Sequence, residues 1–353
     1  MSPQFQIPPF EPHPLFRNRH AQTLAGTYLP GQRYRYRAVR HRVVLPDADV
    51  VVLHDDSPVE WPTGGRVALL LHGLAGCHSS AYMERVAGKL NGAGVRTFRM
   101  DLRGCGAGEG LAARPYHAGR SDDAIAALEF VQTLCPNAPV TLVGFSLSGN
   151  IVLKLLGEAP DAVPSNVVKA AAICPAIDLG HCVRSLIGPF QRSYDRYFVR
   201  VLCAQIRTNS RLRTDLPPLV ATRPIASIFD FDDLYTGPVC GFGSAENYYT
   251  ASSAKRHIER IRVPTLVLAA ADDPLVPITC FDGIRVPLNV MLHVTKHGGH
   301  LGYVAKRGID RDRRWMDWRI VDWVMSDLAG SDNPEMPDAQ AAGRLDPCPT
   351  AGA

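Results

Sequence analysis

Nowhere in this 353-residue chain do about 18 apolar side chains run together, so no segment reads as a membrane-spanning helix. The proline-rich opening, MSPQFQIPPFEPHP, lacks the apolar core of about 7 to 15 residues that a secretory signal needs. Cysteine pairing is missing as well. The nine cysteines are odd in number, scattered and never at C-x-x-C spacing, which signals neither a disulfide framework nor a zinc site. Free thiols and no leader point to a reducing, cytoplasmic setting. Strong charge of either sign is absent: the net +4 comes from scattered arginines, and no basic cluster argues for nucleic acid. Arg33, Arg35, Arg37 and Arg40, alternating with Tyr34 and Tyr36, read as one solvated strand face. No internal repeat is found.

What remains is a globular composition, 46% hydrophobic and 20% charged, long enough for one large α/β core with insertions. Short apolar runs end in glycine-rich loops and are followed by helical patterns. The expected strands are 34–45 and 49–55, an antiparallel pair about the Pro46-Asp47 turn, then 66–71, 95–101, 140–145, 167–174, 264–270 and 288–295. Helices are expected over 79–91, opening with capping serines, over 121–134 with Ser121 as N-cap, over 147–157, 190–207 and 313–328. Strand-helix-strand spacing predicts βαβ units and a mostly parallel central sheet with helices on both faces. Residues 1–30 read as an irregular arm strapped down by Phe5, Ile7, Phe10, Leu15 and Phe16, within which RNRHAQTLAG carries more polar information than an arm needs. Residues 31–175 and 257–328 read as the core, 176–256 as a cap insertion over the strand ends, and 329–353 as a disordered tail.

The chemistry centres on VTLVGFSLSGN, 140–150, in which a strand runs into Gly144-Phe145-Ser146-Leu147-Ser148-Gly149 and reverses into a helix. A chain of this length carries Gly-x-Ser-x-Gly by chance roughly 0.1 times. A strand-to-helix junction inside a βαβ series is, however, the setting that lifts one serine hydroxyl clear of a sheet, so Ser146 is the candidate nucleophile. A serine needs a base, and the base an orienting carboxylate; in such sheets the acid precedes the histidine in the chain. The acid belongs just after a late strand, where Asp272-Asp273-Pro274-Leu275-Val276-Pro277 stands. Asp273 is preferred on its Asp-Pro-x-x-Pro turn, with Asp272 as the alternative acid or a loop brace. The base belongs after the last strand, where His297-Gly298-Gly299-His300 offers two. His300, flanked by glycines that let backbone approach, is preferred over His297. Backbone N–H groups of Leu74, after His72-Gly73, and of Leu147 are placed to bind an oxyanion. His72, Cys77 and His78 fit no metal-ligand spacing, and Gly104-Cys105-Gly106-Ala107-Gly108 lacks the residues of a phosphate loop, so neither metal nor cofactor is expected.

Together with Arg17-Asn18, His20, Gln22 and Thr23, His72-Gly73, Arg103-Gly104-Cys105-Gly106, Tyr116-His117, Gly241-Phe242, Tyr248-Tyr249, AADDPLVP and HGGHLGY, these stretches resemble the α/β-hydrolase fold. More narrowly, they are similar to the branch holding the bacterial YheT-like hydrolases, the plant EMB8-like proteins and the eukaryotic ABHD1/2/3-type lipases. The resemblance covers roughly residues 10 to 325, with Asp101 and Ala107 as departures. It implies an esterase or lipase acting on acyl esters, with Ser146, Asp273 and His300 as its triad, and the expected reaction is hydrolysis of small-molecule carboxylic esters of short or medium acyl chains through an acyl-enzyme on Ser146. Interception by an alcohol would make an acyltransferase, and a scaffold that only binds is the remaining alternative. The lack of an N-terminal anchor points away from a membrane-lipid substrate.

Overall fold

The computed structural model describes residues 5–32, 34–186, 188–208 and 224–327; the expected tail at 329–353 lies outside them. Eight strands form one sheet: β1 (Val39–Val44), β2 (Val50–Asp56), β3 (Val67–Leu71), β4 (Arg96–Asp101), β5 (Val140–Phe145), β6 (Val167–Ile173), β7 (Thr265–Ala270) and β8 (Val290–Thr295). Their order is β1-β2-β4-β3-β5-β6-β7-β8. β2 pairs antiparallel with both β1 and β4, and all other pairs are parallel.

Every residue of β3, β5 and β7 is buried, the burial expected of strands covered on both faces. Alternation sorts their side chains into two cores. Ala68, Leu70, Val143, Phe145, Leu266 and Leu268 meet Met83, Val86 and Leu90 of α2 (Ala81–Gly92) and Ile320 of the C-terminal helix Trp315–Met325. Leu69, Leu71, Leu142 and Ala172 meet Ala124, Leu128 and Val131 of α3 (Ser121–Leu134) and Ile151, Val152 and Leu155 of α4 (Leu147–Glu158).

Several local expectations are corrected. Residues 34–38 are not strand: the Tyr34 ring lies so close to Gly88 of α2 that a Cβ there would fall 2.2 Å from it, and Tyr36 Oη bonds His54 Nδ1 at 2.6 Å. Arg35, Arg37 and Arg40 are exposed, as expected of solvated charges, whereas Arg33 lies outside the described residues. The N-cap of α3 is Arg120, without a side-chain bond, and Ser121 begins the first turn. Ser80 stands at the N-cap of α2, yet its hydroxyl accepts from Cys77 N–H at 3.0 Å instead of from the helix. The arm is strapped down by Phe5 against Trp323 and Phe10 against Tyr303, while Leu15 is 79% exposed. It is also not irregular throughout, because Arg19–Tyr28 forms a helix capped by Asn18.

Between β6 and β7 the described residues hold only helices, among them Leu179–Ser185, Gln191–Thr208, Ile228–Phe231 and Ala245–Ser252. Their apolar side chains pack on Leu74, Tyr116 and Leu147, in the segments that follow β3, β4 and β5. The longest, Gln191–Thr208, buries Val199, Leu202 and Ile206 and turns Arg192, Arg196, Arg200 and Arg207 outward.

Candidate active site

β5 delivers Phe145 into the core, and the chain then turns at Ser146 with φ +52° and ψ −113°, a backbone region that non-glycine residues rarely occupy. The turn is pinned by Ser146 N–H donating to Ile173 C=O at 2.8 Å. It also explains the two glycines of the motif. A Cβ on Gly144 would fall 2.2 Å from the Ser148 carbonyl oxygen, and one on Gly149 would fall 2.8 Å from Pro175 Cβ.

The loop after β8 brings His300 to this serine. Ser146 Oγ lies 2.8 Å from His300 Nε2, and His300 Nδ1 lies 2.8 Å from Asp273 Oδ2. The other carboxylate oxygen of Asp273 accepts from Leu275 N–H at 2.8 Å and Val276 N–H at 3.0 Å. A carboxylate held this way accepts the Nδ1 proton, which leaves the Nε2 lone pair for the serine hydroxyl. Asp273 and His300 are both buried. Asp272 and His297 form a separate pair at 3.3 Å, and Asp272 also accepts from Gly299 N–H at 3.0 Å. The structure thus brings Ser146, His300 and Asp273 together and turns Asp272 toward the loop that carries His300.

Sequence reasoning missed what steadies the histidine. His300 N–H donates to Thr23 Oγ1 at 2.9 Å, and the Gln22 side chain bonds Val304 N–H at 2.8 Å and Val304 C=O at 3.0 Å. Both residues sit on the helix Arg19–Tyr28, which packs backbone to backbone on the histidine loop. A Cβ on Gly299 would fall 2.5 Å from Arg19 C=O and one on Gly302 would fall 2.5 Å from Gln22 C=O. The polar run RNRHAQT was the available signal.

Leu147 is the first residue of α4, so its N–H has no intrahelical acceptor. Leu74 lies in the loop after β3, and a Cβ on neighbouring Gly73 would be 3.1 Å from Ser146 Cβ. Leu74, Leu147 and Ser146 line one cavity of about 120 Å³, whose walls include Leu179, Phe198, Leu202, Phe231 and Leu275. Two titratable groups face the same space. Burial drops His117 to about 3, with Arg120 adding to the effect, so its ring stays neutral. Burial raises Asp232 to about 7, against the pull of the Thr236 and Tyr249 hydroxyls, and the Tyr249 hydroxyl donates to it at 2.8 Å.

Among the described residues, two groups of side chains gather metal-ligating atoms. Cys174 stands beside Asp273 and His300, but burial pushes its thiol well up, which keeps it protonated and a poor ligand. His54 and His78 both approach Asp101 Oδ2, at 2.9 and 2.8 Å. Their rings stack with centroids 3.6 Å apart and planes 12° from parallel. Burial works to raise the Asp101 pKa, yet the hydrogen bonds from His54, from the His78 side chain and from the His78 N–H together hold it well below the ordinary value. Asp101 also accepts from Ala107 N–H at 2.8 Å, so this cluster braces the loops after β3 and β4.

Residues 67–306 match the family described as alpha/beta hydrolase fold. YheT of Escherichia coli (strain K12), named as a candidate esterase, is 30% identical over 324 residues, which span 90% of this chain and 94% of that protein. Phospholipase ABHD3 of Mus musculus is 26% identical over 239 residues, 67% of this chain and 58% of its own length. Among solved structures, 2,6-dihydroxy-pseudo-oxynicotine hydrolase superposes with a TM-score of 0.55 at 17% identity, covering 81% of this chain and 67% of that one. At that identity the likeness is one of fold.

Proposed function

We propose, from the premise that the chain belongs to the alpha/beta hydrolase fold family, that it cleaves carboxylic esters through an acyl-enzyme on Ser146. The observation that carries this reading is the unbroken relay Ser146 Oγ, His300, Asp273, with both contacts at 2.8 Å. His300 Nε2 takes the hydroxyl proton as Ser146 Oγ bonds to the ester carbonyl carbon. The carbonyl oxygen becomes an oxyanion facing the N–H groups of Leu74 and Leu147. As the intermediate collapses, the C–O bond to the alcohol breaks and His300 Nε2–H protonates the departing oxygen. Water then attacks the acyl carbon and gives a proton to His300; as the bond from the acyl carbon to Ser146 Oγ breaks, His300 Nε2–H returns that proton to Ser146 Oγ, and the carboxylic acid leaves. Asp273 stays ionised, holds the Nδ1–H tautomer and stabilises the imidazolium.

The described helices within 176–256 serve as the cap, and their apolar side chains over Ser146 suit a short or medium acyl chain. YheT supports an esterase reading through its name, and ABHD3 carries the name phospholipase, so lipid esters belong on the test panel. Turnover of p-nitrophenyl esters graded by chain length tests the reading. The wild type is expected to peak at short or medium chains and Ser146→Ala to lose activity by about 10³-fold or more. Unchanged turnover in Ser146→Ala refutes it. Added ethanol measures transfer to an alcohol through the yield of ethyl ester, and absence of turnover across the whole panel returns the chain to a binding role.

A further inference from the structure

The loop after β3 leaves one amide free between two that are held. Gly73 N–H donates to Tyr82 Oη at 2.8 Å, Ala75 N–H donates to Tyr116 Oη at 3.0 Å, and Gly76 N–H donates to Gly73 C=O at 3.0 Å. Among the described residues Leu74 N–H, in the middle of this run, has no acceptor. The peptide plane that carries it lies between the two planes whose N–H groups the tyrosines accept. The strand side is held too: Leu102 N–H donates to His72 Nε2 at 3.2 Å, which puts the ring proton on Nδ1, and Nδ1–H donates to Gly73 C=O at 2.8 Å. Ser148 Oγ, from the serine turn, donates to His72 C=O.

The arrangement is under tension at Ala75, whose φ of +57° disfavours any residue with a Cβ. Such a conformation persists where surrounding contacts impose it, and the contact on the Ala75 N–H is Tyr116. Tyr116 also lines the cavity that holds Ser146, Leu74 and Leu147. Burial pushes the Tyr82 hydroxyl up to about 12 and the Tyr116 hydroxyl well above its ordinary value, so both remain neutral acceptors across the working pH range.

We propose that Tyr82 and Tyr116 are positioning residues that preset the Leu74 N–H as an oxyanion donor, one tyrosine fixing the peptide plane on each side of it. The inference rests on the acyl-enzyme reading above, because a preset donor matters only if an oxyanion forms. A structural role alone would lower stability, or loosen all ligands alike. A presetting role discriminates between ground state and tetrahedral state.

The experiment compares the wild type with Tyr116→Phe and Tyr82→Phe, which keep the rings and delete the acceptor oxygens. Steady-state turnover of a p-nitrophenyl ester is read beside inhibition by two ketones of the same chain length. The trifluoromethyl ketone adds the serine to form a tetrahedral oxyanion, and the plain methyl ketone serves as the ground-state mimic. Each variant is expected to lose roughly 10- to 100-fold in kcat with KM within about twofold. The inhibition constant for the trifluoromethyl ketone should rise by the same factor, and that for the methyl ketone should stay put. Each plane has its own tyrosine, so either folded variant, checked by circular dichroism, decides the question. Unchanged kcat, or equal weakening of both ketones, overturns the inference while leaving the acyl-enzyme reading intact. If the wild type and Ser146→Ala bind the trifluoromethyl ketone equally, the acyl-enzyme reading falls first and this inference with it.

Discussion

Asp272 and Asp273 are neighbours in one loop and serve different histidines. Asp273 meets His300 at 2.8 Å, whereas Asp272 meets His297 at 3.3 Å and the N–H of Gly299. On the proposed mechanism Asp273→Asn presents the wrong tautomer and should cut kcat by about 10³- to 10⁴-fold. Asp272→Asn loosens only the loop and should cost less than about tenfold; kcat measured for both variants on one ester decides between the two acids. The preference was legible because Asp-Pro-x-x-Pro closes a turn in which the aspartate accepts backbone N–H groups, as Leu275 and Val276 show. Asp232 was not legible, since nothing in its neighbourhood in the chain says that it faces a cavity. Its folded pKa of about 7 lies above the ordinary 3.8, so between those values the folded chain keeps a proton that the unfolded chain has released. Stability from this group is therefore fully present below about pH 4 and lost as pH rises through 7, at most about 4 kcal/mol. Asp232→Asn should gain melting temperature relative to the wild type as pH goes from 4 to 8, and a difference flat across that range counts against the assignment.

At the scale of elements, the strands covered on both faces, such as β3 and β5, were readable almost to the residue because such burial demands continuous apolar runs, whereas the half-exposed β1 was drawn five residues too early. The helix Arg19–Tyr28 escaped for the opposite reason. The residues it buries are Gln22, Thr23, Ala25 and Gly26, so it shows no apolar stripe and is held by hydrogen bonds and close backbone packing. Its part in the site follows from Thr23. Thr23→Val removes the acceptor for the buried His300 N–H and should cost about 1 to 3 kcal/mol of stability. Turnover should fall about tenfold or less, with the fall concentrated in kcat because the base loses its position. Denaturant melts and steady-state kinetics check both, and a variant with wild-type kcat denies the helix a role in placing His300.

On the whole-molecule scale, a parallel sheet gathers loops from distant parts of the chain at its carboxyl edge, which is why His300, 154 positions beyond Ser146, meets it and Asp273, 127 positions beyond, meets His300. That gathering was legible in the strand rhythm and in the order serine, acid, histidine. The cavity was not, because Leu74, Leu147, Leu179, Phe198, Phe231 and Leu275 come from six separate stretches whose convergence no local pattern encodes. Helix 190–207 was expected and Gln191–Thr208 is found, yet its register over Ser146 depends on packing against the core. If this stretch is the cap, Leu202→Trp should shift the preferred ester to a shorter acyl chain, read as kcat/KM from acetate to decanoate. An unchanged profile would place the acyl site elsewhere.

The most direct test of the central claim is covalent. The wild-type protein is treated with a fluorophosphonate, weighed intact and digested, and Ser146→Ala is treated in parallel. The account predicts one phosphonyl group per chain, located on the peptide that carries Ser146, and none on Ser146→Ala. A wild type that stays unlabelled while it turns over esters, or an adduct that persists in Ser146→Ala, contradicts it.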